Sequence, residues 1–292
     1  MDGRNFECRL LENRFSFYFC GPVFLNEINI AVKRTEQNYQ ACMFREALTT
    51  GFYGLQTARD WYKLSCGAED MNRDLLWHFM DVETRMVAPI CPHYAEYVWR
   101  ELLKKAGFVV NAGWPAADAP DPILQSANKY LKDSIDVMRK KLEKQEANSL
   151  IYVKEQFDEW KAECLRILQN NFNIETRTFA PDRVILEALQ SSSLGQAKGL
   201  RQTQNLCMPF VKLKKKDAVQ LGAQALDLKL PFGEVQVLEE NIDLIKKQLV
   251  LEEVQVLSAT NPDDRAKVGP HVKQIEQNPP FPGSPTTIFL TR

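Results

Sequence analysis

From residue 22 to about residue 146 the apolar positions recur every three or four residues, the spacing that lays one face of an α-helix on a core. Pro22 suits a first helical turn and opens a predicted helix through Val23, Glu27, Ile30 and Arg34. Phe44, Ala47, Leu48, Gly51, Leu55, Ala58 and Tyr62 form the clearest stripe, and Leu75, Leu76, Phe79, Val82, Met86 and Val87 repeat the design. Ala88-Pro89 ends that helix, because proline disfavours helical geometry in the residue before it. Another helix starts near Pro92 and runs through Tyr94, Val98 and Leu102. After a loop with Gly113, Pro115 and Pro120, Asp121-Pro122 supplies an N-cap and a first-turn proline. The helix beyond carries Ile123, Ala127, Leu131, Ile135, Met138 and Leu142 on one face. Helices joined by short loops pack as antiparallel neighbours, so residues 22–146 predict a helical bundle.

Lys144 to Leu150 reads as a polar linker, and the pattern changes after it. Ile151-Tyr152-Val153 predicts a short strand, followed by a helix with Phe157, Trp160, Cys164 and Ile167 on one side. Further helices are expected near 182–190, 197–207 and 215–226, with another amphipathic set at Leu238, Ile242, Ile245 and Leu249. Val254 to Leu257 and Thr287 to Leu290 suit strands, and Pro279, Pro280, Pro282 and Pro285 mark a loop between them. The expected fold is therefore mainly α: a helical bundle at 22–146, then a small mixed α+β domain at 147–292. No internal repeat is visible.

Composition narrows the function classes. The chain has 292 residues, 45% of them hydrophobic, and a net charge of −1 from 37 basic and 38 acidic side chains. That balance argues against the basic coat of a DNA-binding protein, and no DNA partner is expected. No stretch approaches the length of a membrane span, and no membrane partner is expected. The first residues make a poor signal peptide, because Asp2, Glu7 and Glu12 interrupt the basic region. The seven cysteines contain no C-x-x-C pair and suit reduced thiols, and no metal site is expected.

There is no G-x-x-x-x-G-K-[ST], no G-x-G-x-x-G and no G-x-S-x-G, so no credible active site emerges and no catalytic residue is assigned. What remains is binding. Lys212, Lys214, Lys215 and Lys216 follow the apolar Met208-Pro209-Phe210-Val211, and Arg139, Lys140, Lys141 and Lys144 end a long helix. Either cluster can neutralise phosphates. Either can also be a solvated helix face, and cations at a helix C-terminus are stabilised by its dipole alone.

Six segments carry a resemblance to a known family. Val23-Phe-Leu-Asn-Glu-Ile-Asn-Ile-Ala-Val-Lys and Phe44-Arg-Glu-Ala-Leu-Thr-Thr-Gly-Phe-Tyr resemble the anticodon-binding domain of eukaryotic cytosolic leucyl-tRNA synthetases. Ala88-Pro-Ile-Cys-Pro-His-Tyr-Ala-Glu-Tyr-Val-Trp is similar to the P-x-x-P-H-x-x-E-x-x-W signature of class I synthetases. In the second half Met208-Pro-Phe, Leu230-Pro-Phe-Gly-Glu and Glu239-Glu-Asn-Ile-Asp-Leu look like the C-terminal region of the leucine branch. The resemblance covers about residues 22 to 292, and residues 1–21 read as a non-matching leader.

That resemblance implies a cytoplasmic tRNA-binding portion of a leucine–tRNA ligase. Its implied partners are tRNA-Leu, contacted on its body and long variable arm, and other synthetase-complex proteins. Neither H-I-G-H nor K-M-S-K-S occurs, so the catalytic and editing parts are expected to be missing and the chain to be inactive alone. ATP and Mg belong to the catalytic domain of full-length relatives, and no cofactor is expected in this chain. Within the signature, Pro92 suits a first helical position, Glu96 stands three residues from His93 and within reach of it, and Trp99 can anchor neighbouring helices. The alternative is a truncated duplicate acting as a protein-interaction module or without function.

Overall fold

The computed structural model describes residues 19–66, 71–142, 146–192 and 200–291. They cluster into two units, one taking residues up to Lys140 with Val237–Val250, the other Lys141–Gln236 with Leu251–Arg292. The division is thus not a single cut in the chain: Leu238, Ile242, Ile245 and Leu249, read from the sequence as part of the second domain, cluster with the helical unit.

In the helical unit, α1 (Cys20–Gln40) buries Phe24, Ile28, Ala31, Val32 and Thr35 along one side. It also buries Asn26 and Asn29, which costs free energy unless their amides are paired. They are. Asn26 exchanges two bonds with the backbone of Asp121, at 2.9 and 2.8 Å, and Asn29 Oδ1 accepts from the Asp118 amide. Asp121 in turn caps α6 (Pro122–Lys141) by accepting from the Ile123 amide at 2.7 Å.

The stripe at 44–62 is helical but not uniformly α. It runs as α2 (Phe44–Leu48), a π-helical segment Thr49–Tyr53 and α3 (Gly54–Cys66). Ala47, Gly51 and Leu55 lie four apart, and the wider π turn keeps all three on the buried side before Ala58 and Tyr62 continue the row. Phe44, expected on that stripe, lies before the wider turn and is exposed. Then α4 (Arg73–Val87) starts from Asn72, whose side chain accepts from the Leu75 amide. The core gathers Phe24, Ile28, Leu55, Tyr62, Leu75, Phe79 and Met86, with Phe24 stacked on Tyr62 at 4.8 Å. Beyond the break at 88–90, α5 (Pro92–Tyr97) runs into a second π segment, Val98–Leu102. Val98 is buried there, whereas Tyr94, Leu102 and, on α6, Ile123 are exposed.

In the other unit β1 (Glu146–Val153) is the centre of a three-stranded sheet, parallel to β4 (Glu253–Ser258) and antiparallel to β5 (Thr286–Thr291). Ile151 faces Val256 on one side and Thr287 on the other. The expected linker is therefore largely strand. Lys144 lies outside the described residues, but Glu146 pairs with β5 and Asn148 to Leu150 pair with strands on both sides, and those ladders outweigh the polarity of Asn148 and Ser149.

Between β1 and β4 in sequence the chain forms α7 (Glu159–Asn170), a two-residue hairpin pair β2 (Phe172–Asn173) and β3 (Thr178–Phe179), α8 (Asp182–Ser191) and α9 (Leu200–Leu221). The separate helices expected at 197–207 and 215–226 are one helix from Leu200, ending before a 3₁₀ turn at Ala223–Leu226. Residues 197–199 lie outside the described ones. Pro209 sits inside α9, where its missing N–H is unfavourable, yet Cys207, Phe210, Val211 and Ala218 pack into one core with Cys164, Leu165 and Leu168 of α7. Tertiary burial overrides the local break. α10 (Glu234–Glu240) and α11 (Ile242–Leu249) precede β4. After it α12 (Pro262–Val268) and α13 (Val272–Gln277) were not expected, and the four prolines that follow occupy the connection into β5.

Candidate nucleic-acid interface

The lysine run on α9 divides when it folds. Lys214 Nζ lies 3.4 Å from Asp217 Oδ2 and 6.0 Å above the Phe281 ring. Lys215 forms an ion pair with Asp182 at the start of α8 and stands 5.2 Å above the Phe179 ring. That pairing holds the Asp182 carboxyl below its usual range, first through the Lys215 hydrogen bond and then through its charge. Lys212 and Lys216, one turn apart, are exposed. Two of the four cations are thus available to an outside anion, and two are engaged within the fold.

At the end of α6, Arg139 bonds Asp136 Oδ1 at 2.9 Å and Gln248 Oε1 at 2.8 Å. Lys140 and Lys141 are exposed.

In the signature, Pro92 is the first residue of α5 and His93 is exposed. Glu96 does not pair with His93 as the spacing suggested. Its carboxylate accepts from the Val109 amide at 2.9 Å and lies 4.0 Å from Arg100 Nε. A buried amide needs its acceptor more than an exposed imidazole does, since only the former loses water. Trp99 is buried among Val87, Ala95, Val98 and Leu103, donates to the Ala106 carbonyl at 3.4 Å, and carries Lys105 over its ring at 4.8 Å.

Two further features carry no motif in the sequence. Lys161 is buried, with Nζ 4.5 Å above Phe281, 5.4 Å from Trp160 and 5.9 Å from Phe210, and 3.7 Å from Asp158 Oδ2. Burial pushes its pKa down and Asp158 pulls it back up. The second is an open cleft of about 520 Å³ in the helical unit, lined by Arg34, Gln37 and Asn38 of α1 and by Arg45, Glu46, Thr49 and Thr50. Arg34, Gln37 and Asn38 share one helical side, which was the available signal. Among the described residues no three His, Cys, Asp or Glu side chains gather as metal ligands.

Residues 22–154 match the family model of the anticodon-binding domain of tRNA ligase, and residues 153–231 match that of the leucine–tRNA ligase RagD-binding domain. The cytoplasmic leucine–tRNA ligase of Arabidopsis thaliana is 52% identical, over 94% of this chain and 27% of that protein. The corresponding protein of Pongo abelii is 34% identical over 85% of this chain and 22% of its own length, and that of Saccharomyces cerevisiae 26% over 93% and 26%.

The chain belongs to the leucine–tRNA ligase family.

It corresponds to the C-terminal part of these ligases and spans about a quarter of their length. The match to the anticodon-binding domain runs from Pro22 in α1 through α6 and β1, so it includes the signature, the cations ending α6 and the 34–50 cleft, but not the Val237–Val250 part of the helical unit. The lysines of α9 fall in the other match.

Proposed function

We propose that this part of a leucine–tRNA ligase holds tRNA-Leu in the cytoplasm while a catalytic domain in the longer protein charges it. The observation that carries this reading is the anticodon-binding match over the described bundle. Leucine has six codons, so contacts to the tRNA body and variable arm, resting on shape and phosphate charge, serve identity better than anticodon bases. On this reading Lys212, Lys216, Lys140 and Lys141 are the cations of the sequence-predicted clusters that meet phosphates. Pro92, Glu96 and Trp99 hold the α5 corner and do not touch RNA.

Anisotropy of labelled tRNA-Leu against the purified chain at several salt concentrations tests the proposal. Binding should weaken steadily as salt rises, through counterion release. No binding at low salt would exclude it. The same protein should give no leucine-dependent ATP–pyrophosphate exchange, since neither ATP-site motif of the family occurs in it.

A second reading stands beside the first for residues 153–231, because their matching family is described as RagD-binding. There the exposed face of α9 would meet a protein, and other synthetase-complex proteins are candidates of the same class. Retention of tRNA affinity after charge removal on α9, with loss of partner capture, would favour it.

A further inference from the structure

We propose that the cleft between α1 and the Arg45–Thr50 segment is an RNA-backbone site, in which Arg34 and Arg45 hold phosphates and Glu46, Gln37 and Asn38 meet a ribose or base edge. The proposal rests on the tRNA-binding reading and gives it a location.

The floor of the cleft is fixed. Thr50 Oγ1 donates to the Glu46 carbonyl at 2.9 Å, so the Thr35 hydroxyl, 2.8 Å away, must donate to it. Asn38 Nδ2 donates to the same oxygen at 3.2 Å. Thr35 is fully buried, and a Cβ on Gly51 would stand 2.8 Å from its methyl group, so the π segment lies directly on α1. Glycine is what permits that approach. The cleft is thus built on packed backbone, and its walls do not depend on a loose loop.

The rim chemistry selects the ligand. Arg34 and Arg45 are exposed, and neither has a carboxylate partner among the described residues. They share this with Arg73, Arg177 and Arg265, whereas Arg59, Arg85, Arg100, Arg139, Arg166 and Arg183 each have one; Arg34 and Arg45 are the pair that lines one cleft. A guanidinium is planar and forked, and matches phosphate oxygens in pairs. Glu46 argues against a bare phosphate or an acidic peptide, which it would repel. A carboxylate is instead an acceptor for a ribose 2′-hydroxyl or an exocyclic amine. The amide of Gln37, and Asn38 Oδ1 left over from the bond to Thr50, add a donor and acceptors of the same kind. At about 520 Å³ the cleft has the size of a small-ligand site and suits one or two nucleotides rather than a helix.

The experiment compares the whole chain with its Arg34→Gln/Arg45→Gln double variant and, as a charge-keeping control, Arg34→Lys/Arg45→Lys. Two lost phosphate contacts should shrink the log–log salt slope for tRNA by roughly 1.4 to 1.8 in the glutamine variant. The lysine variant should keep most of the slope. Both side chains are exposed, so melting should not move. An unchanged slope in the glutamine variant, with tRNA still bound, overturns the cleft while leaving the tRNA-binding reading intact. Absence of tRNA binding by the unmodified chain overturns both. A measurement free of variants is phenylglyoxal modification mapped by mass spectrometry. Bound tRNA should protect Arg34 and Arg45 several-fold and leave Arg183 reactive. Equal reactivity with and without tRNA, or equal protection by polyglutamate, counts against an RNA site.

Discussion

The lysines of α9 and the arginines of the 34–50 cleft carry the same charge, and the fold treats them oppositely. In sequence Lys212 to Lys216 is the denser feature, yet two of its four cations are turned inward to Asp217, Asp182 and aromatic faces. Arg34 and Arg45 stand eleven positions apart in a nearly neutral chain, yet they line one cleft, exposed and without carboxylate partners among the described residues. Charge density along a chain therefore says little about the charge a partner meets. What decides is whether a carboxylate or a ring lies closer than solvent.

The comparison breaks most sharply at Lys161, the extreme case of a cation used by the fold. Lys161→Ala should destabilise by about 2 to 4 kcal/mol in urea unfolding, through the cavity left among Trp160, Phe210 and Phe281 and the lost contact with their ring faces. Lys161→Met keeps the stem and should cost less than about 1 kcal/mol. A mild alanine variant would mean that the aromatic cluster does not depend on this cation.

Glu83 of the helical unit is the opposite case, a buried acid that the fold serves poorly. Its Oε1 has no hydrogen-bond partner among the described residues, and burial pushes its pKa up to about 7 despite the lowering influence of Arg59 and Gln56. The sign follows from linkage. A raised carboxyl pKa contributes stability that is fully present below the unfolded value near 4.5 and is lost as pH rises through about 7. Glu83→Gln should match the native protein near pH 4.5 and exceed it at pH 8 by roughly 1 to 3 kcal/mol. Equal stability at pH 8 would show that Glu83 is hydrated in solution.

The smallest effects return to the lysine run. Lys214→Gln/Lys215→Gln should cost at most about 1 kcal/mol and leave the tRNA salt slope alone, since partly exposed pairs are weak. Lys212→Gln/Lys216→Gln should leave stability unchanged and reduce the slope by roughly 0.7 to 0.9 for each phosphate touched. Exchanged outcomes would invert the assignment of inner and outer lysines.

Much of the helical unit was legible because its stripes repeat at helical spacing and its caps are explicit: Asp121-Pro122 begins α6 and Pro92 begins α5, as their chemistry requires. The misses have identifiable physical causes. Asn148 and Ser149 look like linker residues, but a central strand draws its stability from neighbours far away in sequence. Pro209 looks like a helix end, but the apolar residues around it are buried on α7. Val237–Val250 clusters with the helical unit although it lies between β1 and β4 in sequence, which no local pattern encodes. The cleft was missed for a related reason. Its arginines come from two helices and line one cleft only in the fold, where Gly51 packs closely on Thr35.

The two π-helical segments, Thr49–Tyr53 and Val98–Leu102, also bear on how this fold tolerates changes in length. A π turn is in effect one residue inserted into an α-helix. Removing one residue from 49–53 would close the helix to ordinary α geometry while Leu55, Ala58 and Tyr62 kept their seats in the core. The same removal within Gly54–Cys66 would rotate every later side chain by about 100° and turn that row towards water. Single-residue deletions should therefore be survivable at the first π segment and ruinous a turn later, with the cleft, not the bundle, bearing the loss.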